Sequence, residues 1–369
     1  VSAARLANKA PFICGAILRL PYREVFVKPF EQLTHVGKGR RLRPYATKLL
    51  EVEYGIQAET LEQVAETVNV VYRVHRKDGS RCVLRLTPPK HFHDRQDVQS
   101  EVAWLHSLSM QSVGVPEVIA TRNGNDVVTV AWDGIPGEWH GVVFEWIHGV
   151  NLANRWTAAN VERFGQLVAR LHVAGSQFEP PPGFRIRPAN SIFPHGNTSF
   201  AHPEPMVLFD GLPKKLLPAK RRALFTNAYE LAAKEIERLF REGSPQPIHN
   251  DLHPWNVMIS RDEIHAIDFE NSLMGFPVQD LGTVLNYWQN YFKDDVAFDE
   301  RLASFRAGYE RIQPWPEEYP GQIRLLTASH RLMLCNYYAS HHDPEYRAFA
   351  YEFFPVVEKR LAEDLPAIA

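Results

Sequence analysis

The segment His249-Asn250-Asp251-Leu252-His253-Pro254-Trp255-Asn256 reads His-x-Asp-x-x-x-x-Asn, and Asp268 follows in Ile267-Asp268-Phe269-Glu270. Asn256 to Ser260 and Ile264 to Phe269 have the length and apolar content of short strands about a turn near Arg261-Asp262-Glu263. In a hairpin centred on position 262, Asn256 lies opposite Asp268, and opposed Cβ atoms sit roughly 4.5–5.5 Å apart on one face. An amide oxygen and a carboxylate then converge, with Asp251 on the loop just before them. The spacing constrains the fold: a loop and a hairpin must bring three oxygen-bearing side chains to one place.

Hard oxygen donors suit Mg²⁺, which keeps several waters and shares substrate phosphates. The chemistry implied is phosphoryl transfer, which needs a base near an acceptor hydroxyl, metal ligands at the phosphates and a cation held by a carboxylate. Asp251 is the candidate base, and Asn256 and Asp268 are the candidate metal ligands.

The cation is sought upstream. Apolar-rich runs at Val68 to Val74 and Cys82 to Leu86 flank Asp78-Gly79, a strong hairpin signal. A turn centred there sets Tyr72 opposite Arg85. Val98, Glu101 and Leu105 fall on one stripe of a helix, so a carboxylate occupies an apolar stripe and Glu101 should face a cation. Arg85 is the expected partner, reaching the α- and β-phosphates of ATP while Glu101 holds it. Further strands are expected at Glu117 to Ala120, Val127 to Ala131 and Val142 to Phe144. Backbone groups of Glu145 and Ile147, where the chain leaves this region, are placed to pair with adenine. Beyond Gly149 the pattern turns helical, with Val161, Phe164, Val168 and Leu171 on one stripe, a helix from Pro218 to Arg241, and Leu281, Leu285 and Trp288 on another. Pro180 to Pro218 reads as an irregular excursion, and Tyr287, Trp288, Tyr291, Tyr337 and Tyr338 read as helix packing in preference to a ligand pocket.

At 369 residues, 45% hydrophobic and 23% charged, the chain suits two lobes better than one core. A net charge of −2 provides no general field for nucleic acid or an anionic membrane. No apolar run reaches the roughly eighteen residues of a spanning helix. Cys14, Cys82 and Cys335 are odd in number and far apart, which argues against a disulfide framework; a cytoplasmic location is expected.

With these residues assembled, the chain resembles the aminoglycoside phosphotransferase and choline kinase family, which has a protein-kinase-like fold. The likeness rests on His249 to Asn256, Ile267 to Glu270, Val278-Gln279-Asp280-Leu281-Gly282, Val83-Leu84-Arg85-Leu86, Glu101 with Trp104-Leu105, and Ala169-Arg170-Leu171-His172, over roughly residues 51 to 300. It implies a bilobal α+β fold, with an antiparallel β lobe over 51–147, a mostly helical lobe over 148–369, and residues 1–50 as an extension of uncertain role. It also implies ATP and Mg²⁺ in the cleft and transfer of the γ-phosphoryl group to the hydroxyl of a small molecule. Glu66-Thr67-Val68-Asn69 stands where protein kinases have a Gly-rich loop, with Asn69 as the candidate phosphate contact. Arg85 replaces the more familiar Lys, and Glu270 stands where protein kinases have Gly. Asp280 looks like the family's buttress of the catalytic loop, with a helix N-cap as the other reading. Neither the acceptor nor the oligomeric state is encoded in any motif. The rival reading is a metallohydrolase built on His249, Asp251 and His253, against which His249 reads as a structural histidine bonded to nearby backbone or to Asp268.

Overall fold

The computed structural model describes residues 28–65, 69–89, 94–193, 207–261, 263–291, 295–341 and 344–365. Helix α1 (His35–Leu49) starts at Thr34, whose hydroxyl accepts the Gly37 N–H, and leads into β1 (Ala58–Ala65), β2 (Val70–Arg76) and β3 (Arg81–Thr87). Helix α2 (Arg95–Met110) follows, then β4 (Val118–Ile119), β5 (Val128–Trp132), β6 (Ile135–Glu145) and β7 (Val150–Asn151). The antiparallel sheet runs β1-β2-β3-β6-β4, with β5 also paired to β6.

The rest is mainly helical. It comprises α3 (Ala158–Ser176), α4 (Ala219–Glu242), β8 (Gln246–Ile248), β9 (Val257–Ile259), β10 (Ile264–Ala266), β11 (Leu273–Gly275), α5 (Pro277–Tyr291), α6 (Asp295–Glu310), α7 (Gln322–Ser340) and α8 (Pro344–Asp364). The fold is α+β, an antiparallel sheet followed by helices, as the sequence led us to expect.

Two buried apolar clusters organise the molecule. One joins Leu42, Tyr45 and Leu49 of α1 to Tyr72, Leu84 and Trp139 of the sheet, so part of the first fifty residues belongs to this core. The other joins Val102 and Leu105 of α2 to the later helices. Helix α2 therefore packs with the helical part while its Glu101 reaches the sheet. A capping box fixes its start: Asp94 accepts the Asp97 N–H, and Asp97 accepts the Asp94 N–H. Helices α3 and α6 cross at two glycines, where a Cβ on Gly165 would stand 2.0 Å from the Phe305 carbonyl oxygen and one on Gly308 would stand 1.9 Å from that of Glu162.

The register of the first hairpin differs by one residue from expectation. Arg85 lies opposite Val71, and Tyr72 lies opposite Leu84. Lys77, Asp78 and Gly79 form a three-residue turn between Arg76 and Ser80, with Gly79 at φ 85°. Such a turn, closed by a left-handed residue, shifts the centre by half a step relative to a two-residue turn.

Candidate active site

The catalytic-loop motif begins where β8 ends. Asn250 adopts φ 63°, a left-handed conformation that Asn tolerates better than most residues. The bend aims two consecutive amides at one carboxylate: the N–H groups of Asn250 and His249 donate to Asp280 at 2.7 and 3.2 Å. Asp280 is wholly buried in the first turn of α5, and it also accepts from His172 Nε2 at 3.1 Å. Burial alone would raise its carboxyl, but the His172 bond and the loop amides outweigh burial and hold it below the usual carboxylate value. Asp280 thus anchors the loop's backbone; the N-cap alternative does not describe it. His172, part of the Ala169–His172 likeness but given no role from the sequence, is a buried polar residue on the apolar face of α3.

Asp251 follows directly and is buried. Its Oδ1 accepts from the Tyr287 hydroxyl at 2.7 Å and its Oδ2 from Asn271 Nδ2 at 3.3 Å. Burial pushes its carboxyl up to about 6, against the pull of those bonds. Tyr287, read from the sequence as helix packing in preference to a ligand pocket, is therefore a neighbour of the site, as is Asn271. His249 accepts the Asp251 N–H on Nδ1 at 3.3 Å and donates from Nε2 to the Ile267 carbonyl at 3.1 Å, so it bonds backbone and not Asp268. Burial lowers the basicity of His249 and brings His253 down to about 4.

The hairpin that follows also runs one residue off the expected register. Val257, Met258 and Ile259 pair with Ala266, His265 and Ile264, and the Ile267 N–H donates to the Asn256 carbonyl at 2.9 Å. Ile267, not Asp268, is opposite Asn256, and Phe269 starts a 3₁₀ turn instead of extending β10. Asp268 comes one step later in a left-handed conformation, φ 70°, so its side-chain direction is set by that bend and not by strand alternation. Its side chain is open to solvent. The protein crowding around it, then the charge of Asp251, raise its carboxyl. Asn256 donates from Nδ2 to the Asp251 carbonyl at 3.0 Å, which ties the two ends of the motif together. Glu270 is raised well above its usual value by burial and by Asp268, and it accepts a hydrogen bond from Asn69 Nδ2. Asn69 thereby spans from the sheet to the 3₁₀ turn. Glu66, Thr67 and Val68 lie outside the described residues.

Arg85 and Glu101 form a bidentate pair, 2.7 Å from Nη1 to Oε1 and 2.5 Å from Nη2 to Oε2, with both side chains buried. The carboxylate on the apolar stripe has its cation. The Arg85 guanidinium lies 5.4 Å from the Phe144 ring centroid and feels the charges of Asp268 and Glu270 as well as that of Glu101. At the end of β6, the Glu145 N–H donates to the Glu117 carbonyl at 2.8 Å, which leaves the Glu145 carbonyl as its candidate contact to adenine. Trp146 is flanked by the guanidinium groups of Arg73 and Arg81, 4.9 and 5.9 Å from its ring centroid.

The donor set fits a hard divalent cation. The charge of Asp251 adds to the upward shift of Asp268, and those of Asp268 and Asp251 to that of Glu270, an excess of negative charge that a cation relieves. The buried amide oxygens of Asn69 and Asn271 have no hydrogen-bond donor among the described residues. Among the described residues no three His, Cys, Asp or Glu side chains gather as a metal cage. With both ring nitrogens of His249 engaged by backbone, nothing supports the metallohydrolase alternative.

Comparison with known proteins defines the class. The profile of the phosphotransferase enzyme family matches residues 60–315. The chain belongs to that family, whose model covers more than half of it. Homoserine kinase of Xanthobacter autotrophicus is 27% identical over 225 residues, covering 60% of this chain and 62% of that protein, less than two thirds of its length. The structure of a microcompartment-associated aminopropanol kinase, 24% identical, covers 87% of this chain and 98% of its own with a TM-score of 0.70. An amicoumacin kinase in complex with AMP-PNP, Ca²⁺ and Ami, 17% identical, covers 88% and 96% with a TM-score of 0.69. These structural likenesses concern the fold.

Proposed function

We propose that this protein transfers the γ-phosphoryl group of ATP to the hydroxyl of a small molecule, with Mg²⁺ as the required ion. The observation that carries the proposal is the meeting of the Asp251 loop, anchored on Asp280, with the buried Arg85–Glu101 pair and the carboxylates of Asp268 and Glu270. ATP would lie between the sheet lobe, 51–147, and the helical lobe, 148–369. The Glu145 carbonyl and the Ile147 N–H would hold adenine, Arg85 the α- and β-phosphates with Glu101 fixing its fork, and Asn69 the outer phosphates.

Asn256, whose amide nitrogen is committed to the Asp251 carbonyl, would offer its amide oxygen to Mg²⁺ alongside the Asp268 carboxylate. Held there, Mg²⁺ would supply neutralisation of the phosphate charge. Asp251 accepts the proton of the acceptor hydroxyl as that oxygen bonds to phosphorus and the bond from phosphorus to the ADP oxygen breaks. A carboxyl raised to about 6 is ionised at neutral pH and more basic than a free aspartate, which suits a base.

The AMP-PNP bound to the amicoumacin kinase supports ATP as donor. The names of the relatives put homoserine, aminopropanol and amicoumacin first in an acceptor panel. No helix among the described residues is long and apolar enough to cross a membrane, and Cys82 and Cys335 are buried free thiols that suit a reducing cytoplasm. Coupled ADP release across that panel, extended to choline, aminoglycosides and sugars, tests the activity; release that requires both Mg²⁺ and one acceptor supports it, and Mg²⁺-independent turnover contradicts it.

A further inference from the structure

We propose that Tyr287 is a positioning residue for phosphoryl transfer, its hydroxyl fixing the Asp251 carboxylate so that a free lone pair faces the acceptor. The inference rests on Asp251 being the base, and it goes beyond that assignment by naming what orients it. Asp280 and Tyr287 stand seven residues apart on α5, two turns on the same face. The first takes the backbone amides of His249 and Asn250, and the second donates 2.7 Å to the Asp251 side chain. One helix face therefore sets both the path of the loop and the plane of its carboxylate.

Three further observations separate this role from packing or acceptor binding. The Tyr287 ring is held by the rings of His253 and His330, with centroids 4.6 and 5.6 Å away, so its hydroxyl arrives at Asp251 with little freedom to lose. Asn271 occupies the other carboxylate oxygen at 3.3 Å. An ionised carboxylate has about four lone-pair sites, and two donors leave room for the acceptor O–H while restraining rotation of a terminal torsion that is otherwise broad. Tyr287 is itself buried and its hydroxyl already committed, which suits orienting a base better than gripping an acceptor. A phenylalanine would satisfy the packing as well.

Tyr287→Phe and Asp251→Asn, singly and together in the full chain, are the test. Transfer from Mg·ATP is read with whichever of homoserine, aminopropanol and amicoumacin turns over fastest, and hydrolysis of Mg·ATP by water is read in parallel. Tyr287→Phe should lower kcat about tenfold, the scale of one hydrogen bond to a charged group, with the melting temperature and KM for ATP unchanged. In the Asp251→Asn background the same change should cost nothing further. An unaltered kcat, or an effect confined to KM for the acceptor, while Asp251→Asn is still crippled, overturns the role of Tyr287 alone. Undiminished turnover by Asp251→Asn itself removes the base and is recognised separately.

Discussion

Asp280 accepts the backbone N–H of Asn250 at 2.7 Å from a helix thirty positions further along the chain, and in doing so holds a residue with φ 63°. The same carboxylate serves His249 and His172, so three buried donors depend on it. Asp280→Ala should cost about 3–5 kcal/mol, the scale of uncovering partners of a buried charge, and urea unfolding at pH 7 measures it. The Asp280 carboxyl is depressed in the folded state, so its contribution is complete above the unfolded value near 3.8 and is lost as pH falls through the folded value. The gap between wild type and variant should therefore close in strong acid.

The Arg85 fork offers a second test. Arg85→Lys keeps a charge beside Glu101 but gives up the two parallel bonds at 2.7 and 2.5 Å and the planar grip on phosphate. KM for ATP should rise by about tenfold in steady-state kinetics, with acceptor KM little changed. Glu101→Ala should do more damage to the fold, about 3–5 kcal/mol, because it strands a buried guanidinium.

Asp251 makes a prediction of opposite sign to Asp280. Its carboxyl is raised from 3.8 to about 6, so the folded state binds the proton more tightly and stability falls as pH rises between those values. Without nucleotide or magnesium, Asp251→Asn should stabilise the chain at pH 8 by up to about 3 kcal/mol and hardly at all below pH 4. The wild-type kcat/KM should climb through an apparent pKa near 6. Thermal melts across pH and the rate profile check the two halves independently.

Much of this site was legible in the chain. The motif from His249 to Asn256 located the loop, and a carboxylate on the Val98–Leu105 stripe announced that Glu101 had a cation. Both hairpins were recognised, and both registers slipped by one for a physical reason: turn geometry decides the centre of a ladder, and left-handed residues such as Gly79 and Asp268 redirect the chain after it. Contacts that bridge separate elements left weaker traces. Tyr287 to Asp251 spans 36 positions and His172 to Asp280 spans 108, and no periodicity encodes them. His172 was discoverable by the logic applied to Glu101, since it too is a polar residue on an apolar helix face, whereas Tyr287 looks in sequence like any aromatic of a packed helix.

Calorimetry of ATP binding with and without Mg²⁺, for wild type and Asp268→Ala, addresses the proposed magnesium–nucleotide centre most directly. The wild type should bind ATP far more tightly with Mg²⁺ present, and Asp268→Ala should lose that gain while its melting temperature stays close to wild type. Unchanged Mg·ATP affinity in a folded Asp268→Ala protein would contradict the assignment of Asp268, and with it the centre around which Asn256, Asp251 and Arg85 have been given their roles.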